Sequence, residues 1–288
     1  MGFTAIQISP TVENIKEHTP NGDPYHGYYP KNINAINKNF GTEQDLKDLS
    51  DELHKRGMLL MVDVVVNHMA QAFDTPVPPK IDYSQFEPFD DPKYFHPYCN
   101  VTKWEDPENY QKCWLYPYGV ALVDLKTESQ AVVDLMTKWI KEQVEKYNID
   151  GLRIDAAKHV NDEFLPKFVE ASGVFALGEV LTGVPIDMCR YQTLGLLPGM
   201  PNYLEYHQVE PAFNGGSFVP LSKMRDQAAS TCNDTLVLGS FIENHDMPRF
   251  ASKNNDLALA KNAMTYVIMN DGIPTGKCSD SQTFWSVC

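Results

Sequence analysis

The sequence is short of positive charge. Its 288 residues hold 24 lysines and arginines against 38 aspartates and glutamates, so the formal net charge at pH 7 is −14. A chain with this excess of negative charge repels the phosphate backbone of DNA and RNA. We therefore expect no nucleic-acid partner.

Long apolar runs are also missing. The longest, such as residues 58–66, reach about half of the roughly 20 residues that a membrane-spanning helix needs, and this one contains Asp63. The first ten residues have neither a basic start nor a long apolar stretch, so they do not have the pattern of a signal peptide. We expect no membrane partner, and the composition is typical of a soluble globular protein.

A glycine-rich phosphate-binding motif is absent from the start of the chain. Residues 3–8 are apolar and β-branched, as in a buried strand, but no Gly-X-Gly-X-X-Gly motif follows them. This argues against a dinucleotide-binding doubly wound sheet. Strand-like and helical segments alternate instead, which predicts a parallel sheet. The predicted strands are residues 3–8, 58–66, 151–155, 175–179, 203–207, 236–243 and 272–274. Seven strands favour a (β/α)8 TIM-type barrel.

Amphipathic helices fill the intervals between these strands. They are predicted at residues 42–56, 127–147, 162–170, 221–229 and 256–270. Thr42 with Asp45, and Thr127 with Gln130, have the spacing of a capping box at the start of a helix.

Residues 67–126 break the alternation. About sixty residues pass without a long helical pattern, and they are rich in proline, aspartate, tyrosine and tryptophan. Such long connections are usually functional or form small subdomains. We predict an inserted subdomain at residues 67–126, barrel segments at residues 1–66 and 127–274, and an atypical tail at residues 275–288.

Polar residues follow four of the predicted strands where each one ends. They are Asn67 and His68, Arg153 and Asp155, Glu179, and the four residues from Glu243 to Asp246. In an α/β barrel, catalytic residues lie at this C-terminal face. Solvent-exposed strand ends are often polar, but solvation does not require these residue types at four ends. The pattern therefore predicts an active site.

Converging carboxylates indicate glycoside hydrolysis. A retaining glycosidase needs two carboxyl groups about 5–5.5 Å apart, and adjacent strands lie about 4.7–4.9 Å apart. Asp155 and Glu179, at the ends of adjacent strands, could reach that separation. Arg153 shares the strand face of Asp155 and would keep it ionised as a nucleophile. The apolar residues before Glu179 favour a protonated general acid.

The four strand-end segments resemble, in order and spacing, the signature regions of the α-amylase family of glycoside hydrolases. They read DVVVNH from residue 63, GLRIDAAKH from 151, ALGEV from 176 and FIENHD from 241. YHGYY from residue 25, HPYC from 96, CWL from 113 and NDGIP from 270 extend the likeness to secreted fungal members. The resemblance implies endo-hydrolysis of α-1,4-glucosidic bonds in starch and glycogen, a polysaccharide or maltooligosaccharide partner, and a monomer.

The resemblance also implies a role for each residue in these motifs. Asp155 would be the nucleophile, Glu179 the general acid/base, and Asp246 the group that stabilises the transition state. Tyr28 would stack on the sugar before the cleaved bond, although ordinary packing is the alternative for this residue. The implied substrate-binding residues are His26, Tyr28, His68, Arg153, Lys158, His159, Gly183 and His245.

Members of the family hold a structural calcium ion between the barrel and the inserted subdomain. Calcium takes six to eight oxygen ligands. The resemblance implies Asn67 and Asp124 as side-chain ligands and His159 as a ligand through its backbone carbonyl. Gln111 stands where the fungal enzymes usually have glutamate. Its amide oxygen can coordinate but lacks the negative charge, so we expect calcium to bind more weakly.

Six cysteines are present. The resemblance implies two disulfides, Cys99–Cys113 and Cys189–Cys232. Cys278 and Cys288 lie beyond the likeness and are expected to be free thiols. The alternative is that all six are reduced, as in a cytosolic protein, because no signal peptide is recognised.

Two Asn-X-Ser/Thr sequons, at Asn100 and Asn233, are candidate glycosylation sites. Full-length members of the family are secreted. Their barrel begins one strand and one helix before the position of Met1, which makes residues 58–66 the third strand, and it continues past Pro274 into a β-sandwich domain. We therefore expect an incomplete barrel without its first βα unit, its last helix and that domain.

Three alternatives stay open. A 4-α-glucanotransferase would pass the same covalent intermediate to a sugar, although the presence of both His68 and His245 favours hydrolysis. A non-catalytic remnant would bind α-glucans without turning them over. The chain could also fail to fold alone, because a barrel without its first strand leaves two unpaired edges.

Overall fold

The computed structural model describes residues 2–73, 78–115 and 118–277. They form two compact units, one of residues 3–176 and one of residues 177–277 together with Gly2. Cys278 and Cys288, for which the sequence predicts free thiols, lie outside the described residues.

The first unit contains eight named strands and four α-helices. The strands are β1 (Ala5–Ile8), β2 (Val12–Asn14), β3 (Pro30–Ile36), β4 (Leu59–Val65), β5 (His68–Ala72), β6 (Val120–Asp124), β7 (Gly151–Asp155) and β8 (Phe175–Gly178). The helices are α1 (Glu43–Lys55), α2 (Pro107–Tyr110), α3 (Gln130–Tyr147) and α4 (Phe164–Ser172). Short 3-10 helices lie at Tyr83–Gln85, Pro92–Tyr94 and Ala157–His159.

A sheet with the strand order β1-β4-β7-β8 forms the centre of this unit. Strand β4 pairs in parallel with β1 and with β7, in a register that places Asp63 beside Arg153 and Val65 beside Asp155. The four strands begin and end within two residues of their predicted limits. The last two residues of β8 belong to the second unit.

The core of the first unit explains why β4 is almost entirely apolar. Strands that are covered on both faces need apolar side chains on both. Leu60, Val62 and Val64 are buried on one face of β4 and Val65 is buried on the other. Helix α3 buries Trp139, whose indole Nε1 donates a hydrogen bond of 2.8 Å to the carbonyl oxygen of Ile33. Asp63 is the exception in β4, because it is a charged residue that is also buried.

Helices α1 and α3 begin in different ways. The Thr42 side chain accepts a hydrogen bond from the Asp45 backbone N–H, and the Asp45 side chain accepts one from the Thr42 backbone N–H, so the predicted capping box of α1 is confirmed. The box predicted at Thr127 is wrong, because α3 begins after Ser129, whose side chain makes no capping hydrogen bond. Thr127 Oγ1 accepts a hydrogen bond from the Asn161 backbone N–H instead, at 3.0 Å.

We expect Thr42→Ala to lower the free energy of unfolding by about 1 kcal/mol, because the first turn of α1 loses an N-cap acceptor. Ser129→Ala is the matched control and should change it by less than about 0.5 kcal/mol, since this cap position makes no such bond. Urea denaturation followed by circular dichroism measures both. Equal losses in the two variants would show that the hydroxyl of Thr42 does not stabilise the helix.

Residues 67–126 contain an antiparallel pair, β5 with β6, in which His68 lies opposite Asp124. In the described part of this segment the longest helix is α2, with four residues. Phe86, Phe89 and Phe95 form a fully buried aromatic cluster. The assignment of this segment as a separate subdomain stays a prediction.

The second unit is mainly helical. Its elements are α5 (Pro185–Thr193), α6 (Tyr203–Phe213), α7 (Val219–Thr231), β9 (Gly239–Ser240), α8 (Phe250–Lys253), α9 (Leu257–Met269) and β10 (Ile273–Pro274). Helices α6, α7 and α9 contribute Val209, Leu221 and Ala263 to one apolar core. Strands β9 and β10 pair in parallel.

The strand predicted at residues 203–207 is wrong, because these residues begin helix α6. The Asn202 side chain accepts a hydrogen bond from the Glu205 backbone N–H and so caps the helix. The parallel pairing occurs just before the helix, where Gly199 forms an isolated bridge with Leu177 and Pro201 forms one with Gly239. The strand predicted at residues 236–243 is reduced to β9.

None of the helices within the described ranges is both long and apolar enough to cross a bilayer.

Candidate active site

A buried arginine joins two carboxylates in the first unit. Arg153 Nη1 donates hydrogen bonds to both oxygens of Asp63, at 3.1 and 2.9 Å, and to Asp155 Oδ1, at 2.7 Å. The parallel register places Arg153 beside Asp63, and Asp155 follows on the same face of β7. The side chain of Asp63 is 1% exposed and that of Asp155 is 14% exposed. Asp155 is therefore the carboxylate that solvent or a ligand can reach.

Tyr28 completes this cluster. Its hydroxyl donates a 2.7 Å hydrogen bond to Asp63 Oδ2, and the Arg153 guanidinium carbon lies 5.8 Å from the centre of its ring. Burial, together with the negative charge of Asp63, raises the pKa of Tyr28 far above its ordinary value. The phenol therefore stays protonated and keeps Tyr28 attached to the cluster.

Two predicted substrate-binding histidines lie against Tyr28. His68 Nε2 donates a hydrogen bond of 3.1 Å to the Tyr28 carbonyl oxygen, and burial lowers the pKa of His68 to about 4, so this imidazole is neutral at pH 7. The rings of His26 and Tyr28 are stacked with their centres 5.7 Å apart, and His26 Nδ1 accepts a hydrogen bond from the Tyr28 backbone N–H. The first unit thus brings His26, Tyr28, His68, Arg153 and Asp155 together.

Sequence reasoning missed the function of Asp63. It treats this residue only as a charge that interrupts an apolar run, whereas the structure makes it the acceptor for both Arg153 and Tyr28. The signal was present in the sequence: a charged residue inside a strand that is otherwise buried needs a partner of opposite charge.

The predicted calcium ligands lie in the first unit and are rich in oxygen. Asn67, Asp124 and Gln111 are all buried. Asp124 Oδ1 is buried and has no hydrogen-bond partner among the described residues. Gln111 Nε2 donates to Asp162 Oδ1 at 2.9 Å, which leaves the amide oxygen of Gln111 as the available donor atom for a cation. These residues therefore fit a hard cation that prefers neutral and anionic oxygens.

His96 controls the charge around Asp124. Its Nδ1 lies 2.7 Å from Asp124 Oδ2 and its Nε2 lies 2.9 Å from Glu128 Oε1. Burial alone would lower the pKa of His96, but the two carboxylates outweigh it and raise the pKa to about 9. His96 is thus a cation at pH 7. Within the described ranges no group of three or more His, Cys, Asp or Glu side chains could hold a metal, so the candidate set depends on amide and backbone oxygens.

Two other predicted binding residues of this unit lie beside Tyr110. His159 Nδ1 donates a 2.9 Å hydrogen bond to the Tyr110 carbonyl oxygen, and Lys158 Nζ lies 5.1 Å from the centre of the Tyr110 ring. Both side chains are only partly buried.

In the second unit, a chain of hydrogen bonds joins Glu179 to the loop that carries Asp246. The Tyr203 hydroxyl donates to Glu179 Oε1 at 3.4 Å, and Asn244 Nδ2 donates to the Tyr203 hydroxyl oxygen at 3.0 Å. Asn244 Oδ1 accepts a hydrogen bond from the Asp246 backbone N–H at 2.9 Å. His245 Nε2 lies 3.1 Å from Asp246 Oδ2, and both residues are exposed. Sequence reasoning missed Tyr203, because it placed this residue in a strand.

Glu243 anchors the same loop from its other end. Its carboxylate accepts a hydrogen bond of 2.6 Å from Arg249 Nη1 and one of 3.0 Å from the Phe250 backbone N–H. Gly183 is exposed, and a Cβ atom at its position would lie 3.7 Å from the ring of His207.

Both predicted disulfides are present. Cys99 is bonded to Cys113, and Cys189 is bonded to Cys232. This outcome excludes the alternative in which these four cysteines are reduced. Asn100 and Asn233 are exposed, and their glycosylation stays a prediction.

Comparison with known proteins gives consistent matches. The family model of the alpha-amylase catalytic domain matches residues 1–276. An alpha-amylase of Saccharomycopsis fibuligera is 48% identical over 276 residues, which cover 95% of this chain and 55% of that protein. The structure of an alpha-amylase from Malbranchea cinnamomea has 46% identity and a TM-score of 0.90, over 95% of this chain and 57% of that one.

A more distant structural neighbour is an alpha-amylase from Geobacillus thermoleovorans complexed with acarbose, with 29% identity and a TM-score of 0.82, over 95% of this chain and 59% of that one. The chain thus spans about half the length of the curated relatives it matches. These likenesses confirm the predicted fold class, that of a (β/α)8-type catalytic domain.

Proposed function

The chain belongs to the α-amylase family of glycoside hydrolases, and we propose that it carries the residues for retaining hydrolysis of internal α-1,4-glucosidic bonds in starch or glycogen. The observation that supports this most strongly is the 2.7 Å hydrogen bond from Arg153 to Asp155 at the end of β7. It stabilises the carboxylate form of Asp155 and directs one oxygen, which is what a nucleophile needs.

Asp155 acts first in the proposed reaction. One of its carboxylate oxygens attacks the anomeric carbon while Glu179 gives its proton to the glycosidic oxygen, so the bond to the leaving sugar breaks as an ester bond to Asp155 forms. In the second step, the Glu179 carboxylate takes a proton from water, the water oxygen bonds to the anomeric carbon and the ester breaks. Two inversions give net retention. Asp246 hydrogen-bonds the sugar hydroxyls and stabilises the charged transition state.

The partly buried residues around Asp155 bind the sugar on one side of the scissile bond. Tyr28 offers the face of a ring whose hydroxyl is held by Asp63, so little side-chain entropy is lost when a sugar stacks on it. His68 is neutral at pH 7 because of its lowered pKa. It therefore does not repel a positively charged transition state, and it would bond a sugar hydroxyl by exchanging the Nε2 hydrogen bond that it makes to the Tyr28 carbonyl oxygen. We assign Lys158, His159, Gly183 and His245 to the remaining sugar contacts.

A calcium ion would stabilise the first unit rather than take part in the reaction. Its proposed ligands are the side chains of Asn67, Gln111 and Asp124 and the carbonyl oxygen of His159. Asp124 Oδ1 supports this assignment, because it is buried without a hydrogen-bond partner among the described residues while His96 pairs with the other oxygen of the same carboxyl group.

Calorimetric titration is expected to show calcium uptake by the folded chain. Asp124→Asn should weaken binding and Gln111→Glu should strengthen it, because calcium affinity rises with the charge of the ligand set. Gln44→Glu, which adds the same charge on the exposed face of α1, should leave the affinity unchanged. Absence of uptake by the folded parent chain would contradict the calcium assignment.

A reducing-sugar assay on soluble starch, with calcium present, tests the proposed function. The parent chain should release reducing ends, and Glu179→Gln should release them roughly 10²–10⁴-fold more slowly. Longer products at early times, from maltooligosaccharides of one length, would identify a 4-α-glucanotransferase instead. Affinity for α-glucans without turnover would identify a non-catalytic binding protein.

The two disulfides and the exposed sequon asparagines support maturation in an oxidising compartment. We therefore propose that the protein is secreted and monomeric.

A further inference from the structure

Tyr203 is a buried tyrosine whose hydroxyl is shared by two residues of the candidate active site. It donates to Glu179 Oε1 and accepts from Asn244 Nδ2. None of the sequence motifs described above includes it. Only 1% of Tyr203 is exposed to solvent, so its hydroxyl must find its partners inside the protein.

The ring of Tyr203 is fixed in place by its surroundings. Tyr203 is the first residue of α6, directly after the N-cap Asn202. Its ring meets that of Phe241 edge to face, with the centres 5.1 Å apart, and meets that of Tyr206 in the same way at 6.2 Å. These contacts hold the ring, and with it the phenol oxygen that faces Glu179, in one position.

The direction of these hydrogen bonds follows from Asn244. Its Oδ1 accepts hydrogen bonds from the backbone N–H groups of Asp246 and Met247, both at 2.9 Å. This identifies the amide oxygen, so the group that faces Tyr203 is the NH₂ donor. A phenol has a single proton, and its oxygen accepts from Asn244. The phenol therefore acts as the donor in its contact with Glu179 Oε1, at 3.4 Å.

We propose that Tyr203 is a positioning residue for the general acid/base: its hydroxyl donates to Glu179 and fixes both the orientation of the carboxyl group and its readiness to take up a proton. The catalytic consequence of this contact rests on the proposed function of Glu179, whereas the contact itself does not.

A phenol donor acts on the two forms of a carboxyl group unequally. It stabilises the carboxylate more than the neutral acid, because hydrogen bonds to charged acceptors are the stronger ones. Donation from Asn244 polarises the phenol and increases this effect. In the proposed cycle, Tyr203 therefore stabilises the carboxylate that Glu179 becomes once it has given its proton to the leaving sugar, which is the form that acts as a base in the second step.

The test compares Tyr203→Phe with Tyr206→Phe. Both substitutions remove one hydroxyl from the same aromatic cluster, and Tyr206 stacks on Phe241 at 4.9 Å, but only Tyr203 is hydrogen-bonded to Glu179. In protein with ¹³C-labelled glutamate carboxyl groups, the signal that Glu179→Gln removes identifies Glu179. Its titration by NMR gives the pH at which the carboxyl group is half protonated.

We expect Tyr203→Phe to move this midpoint upward by a few tenths of a pH unit, because the variant loses a donor to the carboxylate and a 3.4 Å bond is longer than the usual range of about 2.5–3.0 Å for an O–H···O hydrogen bond. Tyr206→Phe should leave it unchanged. A midpoint unchanged in Tyr203→Phe, or moved equally in both variants, would overturn the proposal. With an active parent, the alkaline limb of the pH–activity profile should move to higher pH by the same amount, because Glu179 must be protonated for the first step.

Asn244→Asp gives a second test that keeps the aromatic ring intact. The carboxylate would accept the Tyr203 proton and draw it away from Glu179, while it still accepts from the Asp246 backbone. If Asn244→Asp acted only through its added charge, it would raise the Glu179 midpoint by the same amount in the parent chain and in the Tyr203→Phe variant. The proposal requires that Asn244→Asp raise the midpoint less in Tyr203→Phe than in the parent. Equal increases would contradict it. The NMR titration needs no turnover. A parent chain without activity would therefore contradict the proposed function, and the contact between Tyr203 and Glu179 could still be tested.

Discussion

Asp155→Asn is expected to abolish hydrolysis of both starch and α-maltosyl fluoride. A nucleophile is needed for either substrate, because both must form the covalent intermediate. Glu179→Gln is expected to behave differently. It should lower kcat/KM on starch by roughly 10²–10⁴-fold, the usual contribution of general acid–base catalysis. Formation of the intermediate from the fluoride should be much less affected, because fluoride leaves without a proton from Glu179.

Initial rates on the two substrates, with calcium present, separate these roles. Asp48→Asn removes a carboxylate from the exposed face of α1 and is the control, which should retain parent activity. If Glu179→Gln lost the burst of fluoride release to the same extent as Asp155→Asn, the division into nucleophile and acid would be wrong.

Arg153→Met is expected to lower the free energy of unfolding by about 3–5 kcal/mol. The substitution keeps most of the volume but leaves Asp63, which is 1% exposed, as a buried carboxylate without a compensating charge. Urea denaturation measures the loss. Arg56→Met is the matched control, because Arg56 pairs with Glu52 on the surface, where both side chains are at least half exposed. Such exposed pairs contribute about 0–1 kcal/mol.

A second substitution checks the cause of that loss. Asp63→Asn in the Arg153→Met background removes the buried charge that Arg153 balances in the parent and should recover part of the stability. If the double variant were less stable than Arg153→Met alone, the loss would come from packing around the arginine side chain and not from the charge of Asp63.

The strands of the first unit were predictable because their sequences are compatible with few structures other than a buried strand. Strand β4 is apolar at nearly every position, and a run of this kind is compatible only with burial on both faces. The start of α1 was also predictable, since Thr42 and Asp45 satisfy each other locally. Thr127 has the same local spacing, but its hydroxyl is used by the distant Asn161 backbone. Sequence spacing cannot show this competition.

The error at residues 203–207 has a similar origin. Tyrosine favours strands, yet Tyr203, Tyr206 and Val209 are buried on a helix once Asn202 has capped the chain. The family motifs predicted Glu179 and Asp246 as site residues. They could not predict the tyrosine that hydrogen-bonds Glu179, because that contact joins segments separated by 24 positions.

The double attachment of Arg153 has a consequence for how inactive relatives of this protein would evolve. A descendant that lost its carbohydrate chemistry could replace Asp155 without harm. It could not discard Arg153 while Asp63 remained buried beneath it. The arginine would then persist as a relic under selection for folding alone. Among divergent sequences, the retention of Arg153 therefore says little about turnover, whereas the residue at the position of the partly buried Asp155 distinguishes active enzymes from inactive ones.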